Sequence, residues 1–504
     1  MGLLGILIGL GLLIWLAFRG WSVLLLAPAA ALIAAAFDGQ PLLASWTQIF
    51  MGSAAGFLAQ FFPIFLLGAV FGKLMDDSGA VAAVAGFITR CLGERRVVLA
   101  VVLAGALVTY GGVSLFVAFF VIVPMAQSLF RKAEIPRRLV PAAVMLGTST
   151  FTMSALPGTP SIQNAIPMPF CGTTPFAAPG LGVIASIIML AIGLWWLSRA
   201  EQVARRAGER YSAGAAATAE GAANIELLRE QATTAREFDP AEIRHGHRSE
   251  AAAPVVSAVL PLLVVIAVNL AMSLIILPRL DASFLAEDRW GSTSLSAVAG
   301  VWSVAVALAA AVGAVILCNW RRLPALRKTM DAGANACVLP ALSVASLVGF
   351  GAVIASLPAF GMVRDWVLGI EGGPLVSLAV ATNMLAALTG SASGGLTIAL
   401  DALGRTYMDI AARHGIDPGL LHRVAVIGSG TLDILPHNGA VVCLLAICGL
   451  THRESYRDIV MVGNRQLYHR PRSGDRDRHC ARVLLMPFRF GANSAMARRL
   501  QSGQ

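Results

Sequence analysis

Charged residues are scarce in this chain: Asp, Glu, Lys and Arg make up 13% of 504 residues, against 57% hydrophobic, and the mean hydropathy is +0.73. That balance excludes a soluble globular domain and points to an all-α polytopic membrane protein. The charge lies between hydrophobic runs, so the net +10 describes loop arginines and no nucleic-acid surface is expected. Cysteines are also few. The seven (Cys91, Cys171, Cys318, Cys337, Cys443, Cys448, Cys480) are scattered without a C-x-x-C pair, which leaves them as packing residues and implies no disulfide or metal framework. Nucleotide-driven transport lacks its signature: the nearest approach to a phosphate loop, Gly68 to Leu74, has the wrong spacing and no Ser or Thr after Lys73. H-E-x-x-H is absent and no His and Cys cluster has ligand spacing, so neither an enzyme nor a cofactor is expected.

What the sequence does have is apolar windows of spanning length, about 17 to 25 residues. They fall at Leu3 to Phe18, Trp21 to Phe37 and Ala55 to Leu74. The first is apolar from its start and lacks a basic leader, so it reads as a retained helix. Val81 to Leu92 is shorter, bounded by charge, and expected at the interface. Val97 to Phe130 would reach about 50 Å as one helix; interrupted at Tyr110-Gly111-Gly112, it reads as a re-entrant hairpin. Leu139 to Leu156 follows, broken at Pro157 to Pro160, then an uncharged loop and the span Leu181 to Ser198.

Residues 199–253 form a polar central loop. Beyond it come spans at Pro254 to Leu277, Leu295 to Asn319 and Ala334 to Leu357, an amphipathic piece at Val363 to Ile370, a run Leu375 to Leu403 interrupted at Thr389 to Gly395, and a broken segment Val424 to Leu450. Each half thus has three spans, a surface piece, a glycine-broken hairpin and a Leu-Pro-broken span, which predicts two repeats, 1–198 and 254–462. Basic groups at Arg95-Arg96, Arg131-Lys132, Arg137-Arg138, the central loop, Arg321-Arg322 and Arg327-Lys328 are expected on the cytoplasmic side. Counting spans then makes the repeats inverted. Arg405, Arg413 and Arg423 fall on the outer side against that rule, beside Asp401, Asp409 and Asp417.

Two stretches carry polar groups at expected membrane depth, where such residues persist if they pair, line a cavity or handle an ion. Gly147 to Pro160 (G-T-S-T-F-T-M-S-A-L-P-G-T-P) offers hydroxyls including Thr150, Thr152 and Thr159, followed by Gln163 and Asn164; they either bond back to their own helix or face a wet site. Gly428 to Gly439 (G-S-G-T-L-D-I-L-P-H-N-G) adds Asp433, His437 and Asn438. Asp433 is a capping acid or a protonatable coupling group; His437 is a structural imidazole, shares that proton or contacts the substrate anion. At the hairpin tips, Gly111, Gly112 and Ser114, and Ser391, Ser393 and Gly394, make tight turns and can also bring backbone amides to a ligand. Helix ends suit a carboxylate without a buried arginine, and none falls within the expected spans.

With these residues in place the chain resembles the gluconate:proton symporter (GntP) family. The resemblance rests on F-F-P-I-F-L-L-G-A-V-F-G-K from Phe61, T-Y-G-G-V-S-L-F-V from Thr109, I-P-R-R-L-V-P-A from Ile135, L-P-G-T-P-S-I-Q-N from Leu156 and L-P-H-N-G-A-V from Leu435, and it covers roughly residues 1–460. It implies proton-coupled uptake of a small hydroxy-monocarboxylate such as gluconate or 3-hydroxybutyrate in a bacterial inner membrane, by a transport unit of hairpins and broken helices moving as an elevator, commonly in a homodimer. The L-P-H-N-G form is similar to the hydroxybutyrate-permease-like branch. Sodium coupling, or an inactive remnant or membrane sensor, are the other readings. One departure is clear: after Ile459 to Val462 the sequence turns basic where the family resumes an apolar helix. Residues 463–504 are therefore expected to be an atypical tail, from a shifted reading frame or truncated gene, with a native basic tail as the alternative; the last span of the second repeat is then missing.

Overall fold

The computed structural model describes residues 2–18, 21–93, 96–113, 115–211, 253–370, 373–432, 434–436 and 438–463. Ser114, Asp433, His437, most of the central loop and the basic tail lie outside the described residues. Those described form helices and turns, with no strand among them. Five of the described helices are long and apolar enough to cross a membrane: Leu42–Asp77, Pro179–Arg206, Val255–Arg279, Leu295–Arg322 and Leu326–Ser356. All five turn exposed apolar side chains outward, such as Phe62, Ile184, Leu263, Leu317 and Val338, as a spanning helix requires.

Helix bounds depart from the sequence reading where the helix continues into polar residues. The third span begins at Leu42 and includes a π-helical stretch, Ser45–Phe50. The helix begun at Pro179 runs on to Arg206, into residues assigned to the central loop, because Ala, Glu and Arg are good helix formers. The loop after the first break contains two short helices, Ile162–Ala165 and Pro167–Cys171. The short piece Ala80–Leu92 buries Val81 and Val84 against the interior.

Both hairpins form where glycine permits. Val97–Tyr110 and Leu115–Lys132 meet at Gly111 and Gly112, the latter at φ +95°. Pro374–Thr389 ends on Gly390 at φ +66°, and Ser391 caps the next helix, Ala392–His414, by accepting from Gly394 N. These helices approach closely: a Cβ on Gly395 would fall 2.2 Å from Ala386 N.

The two broken helices pack on their hairpins in matching ways. In Val140–Thr148, a Cβ on Gly147 would lie 2.3 Å from Val102 O; in Pro418–Thr431, one on Gly428 would lie 2.4 Å from Thr382 Oγ1. Small residues let the backbones meet without side chains between them. After the second break the chain resumes as Gly439–Cys448 and His452–Gly463. The last helix is fastened by Arg138, which reaches both Asp458 and Glu209, while Trp196 Nε1 donates to Asp458 at 3.1 Å.

Candidate functional site

The two breaks touch one another. A Cβ on Gly430, in the last turn before the second break, would fall 2.7 Å from Ser154 Cβ in the first. Beside them lies a cavity of about 190 Å³ lined by five parts of the chain. The first hairpin tip contributes Thr109 and Gly112; the first break contributes Met153, Pro160, Ser161 and Gln163; the second tip contributes Ser393. The far wall is Ile64 to Ala69 of the third span together with Ala336, Cys337, Pro340 and Val344.

Gln163 distinguishes this cavity from a packing defect. It is 7% exposed, it lines the wall, and its Oε1 has no hydrogen-bond partner. A buried amide oxygen left unpaired costs about 1–3 kcal/mol, a cost this wall of the cavity bears. Ser161 positions the segment: its hydroxyl donates to Met153 O at 2.9 Å and accepts from Asn164 N, capping the short helix that carries Gln163.

The other expected site residues divide by what they touch. Gly112 and Ser393 line the cavity. Gly111 is packed against Leu262, whose Cδ2 would lie 2.2 Å from an added Cβ. Thr150 donates to Leu146 O at 2.7 Å, and Thr152 to Thr148 O at 2.9 Å; both are buried outside the cavity wall and serve their own helix. Thr159 Oγ1 accepts from Ser161 N. Ser391 and Gly394 form the cap of the second hairpin, and Gly394 abuts Leu347. Asn438 joins the second break to the second tip: its Nδ2 donates to Gly390 O at 3.0 Å while its Oδ1 accepts from Ala440 N at 2.8 Å, capping the resumed helix.

Asn164 has a structural post. Its Nδ2 donates to Thr159 O and Pro175 O, which fixes the amide and leaves Oδ1 as an acceptor. Two donors meet that oxygen from Pro418–Thr431: Arg423 Nη1 at 3.1 Å and His422 Nε2 at 3.2 Å. His422 therefore carries its proton on Nε2, and Nδ1 accepts from Thr173 Oγ1 at 2.6 Å. Arg423 also donates to Ala155 O, Pro175 O and Ala177 O.

This corrects the expectation that no arginine is buried in these segments. The broken helix begins at Pro418, not Val424, and Arg423 sits in its second turn at 0% exposure. It is not a loop residue, so it leaves the group of bases set against the charge rule. Asp417 followed by Pro418, an N-cap and first-turn pair, is the sequence signal for that earlier start.

A second buried charge is equally inconspicuous in sequence. Lys73 Nζ and Asp77 Oδ1 lie 2.9 Å apart near the end of Leu42–Asp77, both about 2% exposed, and Thr329 Oγ1 donates to Asp77 Oδ2 at 2.7 Å. Opposite charges four positions apart at the end of an apolar helix are the available signal.

Comparison with known proteins agrees with this architecture. Residues 1–206 match the GntP family of permeases. The chain is 41% identical over 469 residues to an uncharacterized transporter, YxjC, of Bacillus subtilis (strain 168), covering 92% of this chain and 96% of that protein. Over 106 residues, 20% of this chain and 23% of the relative, it is 34% identical to a high-affinity gluconate transporter of Escherichia coli (strain K12). With apolar helices of spanning length and a relative matched along nearly its whole length, this is a multi-pass protein of the bacterial plasma membrane, and the chain belongs to the GntP family of permeases.

Proposed function

We propose that this permease is a secondary active transporter that takes up a small hydroxy-monocarboxylate, of the gluconate or 3-hydroxybutyrate type, together with protons. The observation that carries the reading is the cavity: it gathers both hairpin tips and the first break, with the buried Gln163 amide in its wall. Gly112, Ser393, Ser161 and Gln163 are the substrate-facing groups in this reading. Gly111, Thr150, Thr152, Thr159, Asn164, Ser391, Gly394 and Asn438 shape or support them. Asp433 and His437, in the second break, carry the coupling proton. A relative described as a gluconate transporter supports a sugar-acid anion as substrate.

The halves are inverted repeats in this reading. Supporting it, Gly147 and Gly428 open the two polar stretches and make equivalent close contacts with their own hairpins. Alternate exposure then comes from movement of the hairpins and broken helices against the remaining spans.

The experiment is uptake into proteoliposomes with an alkaline interior, using radiolabelled gluconate and 3-hydroxybutyrate, with lactate and citrate as competitors. Accumulation of one of the two labelled acids that collapses when a protonophore is added is the expected result. No accumulation of either, or accumulation that requires sodium and ignores the protonophore, overturns the proposal.

A further inference from the structure

We propose that the buried pair Lys73–Asp77 is a second proton-binding site of this transporter, one that makes proton and anion binding depend on each other; this rests on the proton-coupled reading above. Withdrawing two charges from water costs several kcal/mol per ion, and an apolar pair of similar volume is often as stable or better. Buried ion pairs can repay that cost by fixing how elements dock, but Lys73 and Asp77 sit on one helix, four residues apart. Their link to a second element is the Thr329 hydroxyl. Ionisable groups buried in spanning segments mark ion and proton pathways by default.

The location connects the pair to the cavity. Gly68 and Ala69, one turn before Lys73, line the cavity, as do Ala336 and Cys337 on the neighbouring Leu326–Ser356 helix. Between cavity and pair the two helices are nearly in backbone contact: a Cβ on Gly333 would lie 2.8 Å from Val70 Cα and 3.2 Å from Lys73 Cβ.

The charge balance supplies the coupling. As drawn, ammonium and carboxylate cancel. A proton that binds Asp77 forms the O–H of a carboxylic acid, and the Lys73 ammonium is left one turn from the cavity without a counterion. A substrate carboxylate entering the cavity provides it. When the anion leaves, the lone ammonium favours release of the Asp77 proton and restoration of the pair. Each ligand therefore raises the affinity for the other by the same factor.

The surroundings leave the pair undisturbed. On the helices packed against Leu42–Asp77, the ionisable groups are Arg327, Lys328 and Asp331, exposed on the face of their helix away from Thr329; Arg90; Arg131 and Lys132; and Arg321 and Arg322. None of these makes an ion pair with Lys73 or Asp77, and Arg327 is instead beside Asp331. Asp76 is the neighbouring carboxylate on the same helix.

The test uses the full chain in proteoliposomes, with whichever of radiolabelled gluconate and 3-hydroxybutyrate the unmodified protein accumulates. Asp77→Asn mimics the protonated acid and can still accept from Thr329. It is expected to lose accumulation driven by a pH gradient, to keep substrate exchange, and to lower the slope of log KM against pH by about one. Asp77→Glu restores accumulation. Asp77→Asn that accumulates as the unmodified protein does overturns the inference while leaving the proton-coupled reading intact; an unmodified protein that ignores the pH gradient overturns both. If Asp77→Asn does not fold, Thr329→Val decides. The variant loses the hydroxyl that donates to Asp77, so the pH dependence of uptake should be displaced from that of the unmodified protein, and an unchanged pH dependence overturns the inference.

Discussion

Arg423 Nη1 donates to Asn164 Oδ1 at 3.1 Å, joining a helix in the second half of the chain to the turn that presents Gln163 in the first. Three backbone carbonyls, Ala155 O before the first break and Pro175 O and Ala177 O in the loop that follows, accept from the same guanidinium. Arg423→Ala leaves Ala155 O and Ala177 O without that donor, each at about 1–3 kcal/mol, while Pro175 O keeps its bonds from Asn164 and Gly158; the melting temperature in detergent is expected to fall sharply. Arg423→Lys rescues little, because an ammonium cannot span carbonyls spread over a planar fork. A melting temperature unchanged in both variants would remove the clasp from the account.

Gln163→Leu keeps most of the volume and removes the polar end. The expected result is a KM for the transported acid raised roughly 5- to 100-fold, as for a lost hydrogen bond of about 1–3 kcal/mol, with melting unchanged or slightly higher because an unpaired oxygen is gone. Transport kinetics beside a melting curve separate these effects. An unaltered KM would place substrate elsewhere.

Gly395→Ala sets a methyl against the Ala386 backbone, 2.2 Å from its nitrogen. No rotamer relieves a clash with backbone, so the second hairpin must splay, and folded yield should fall severely. Gly56→Ala, with no neighbour within 4 Å, is the control and should behave as the parent does. Size-exclusion profiles in detergent report both.

Asp433→Asn tests the coupling role proposed for the second break. Accumulation driven by a pH gradient should vanish while exchange of internal for external substrate continues. Full accumulation by the variant would remove Asp433 from the proton path.

Spans and hairpins were legible because apolar length and glycine punctuation are local signals. Leu295–Asn319 matches its expected bounds, and both hairpins turn where Gly111-Gly112 and Gly390 allow it. The site was legible in part. Gly112 and Ser393 were found because turn glycines and hydroxyls mark tips, but composition does not tell a hydroxyl that faces a cavity from one that bonds back along its helix, as Thr150 and Thr152 do. Arg423 was hidden because its partners are main-chain carbonyls more than 240 positions away, and carbonyls leave no trace in sequence. Lys73 and Asp77 were adjacent enough to notice; what sequence withholds is that both are buried.

Two hydroxyls of the cavity wall have already committed their protons. Thr109 Oγ1 donates to Gly105 O at 2.6 Å and Ser161 Oγ donates to Met153 O, so what they offer a guest is lone pairs. A carboxylate gains nothing from them, whereas the O–H groups along a hydroxylated carbon chain do. On the proposed reading, recognition separates into two ends: the wall formed by Thr109 and Ser161 meets the alcohol portion of a hydroxy-acid, and the acid group finds its donors elsewhere in the cavity.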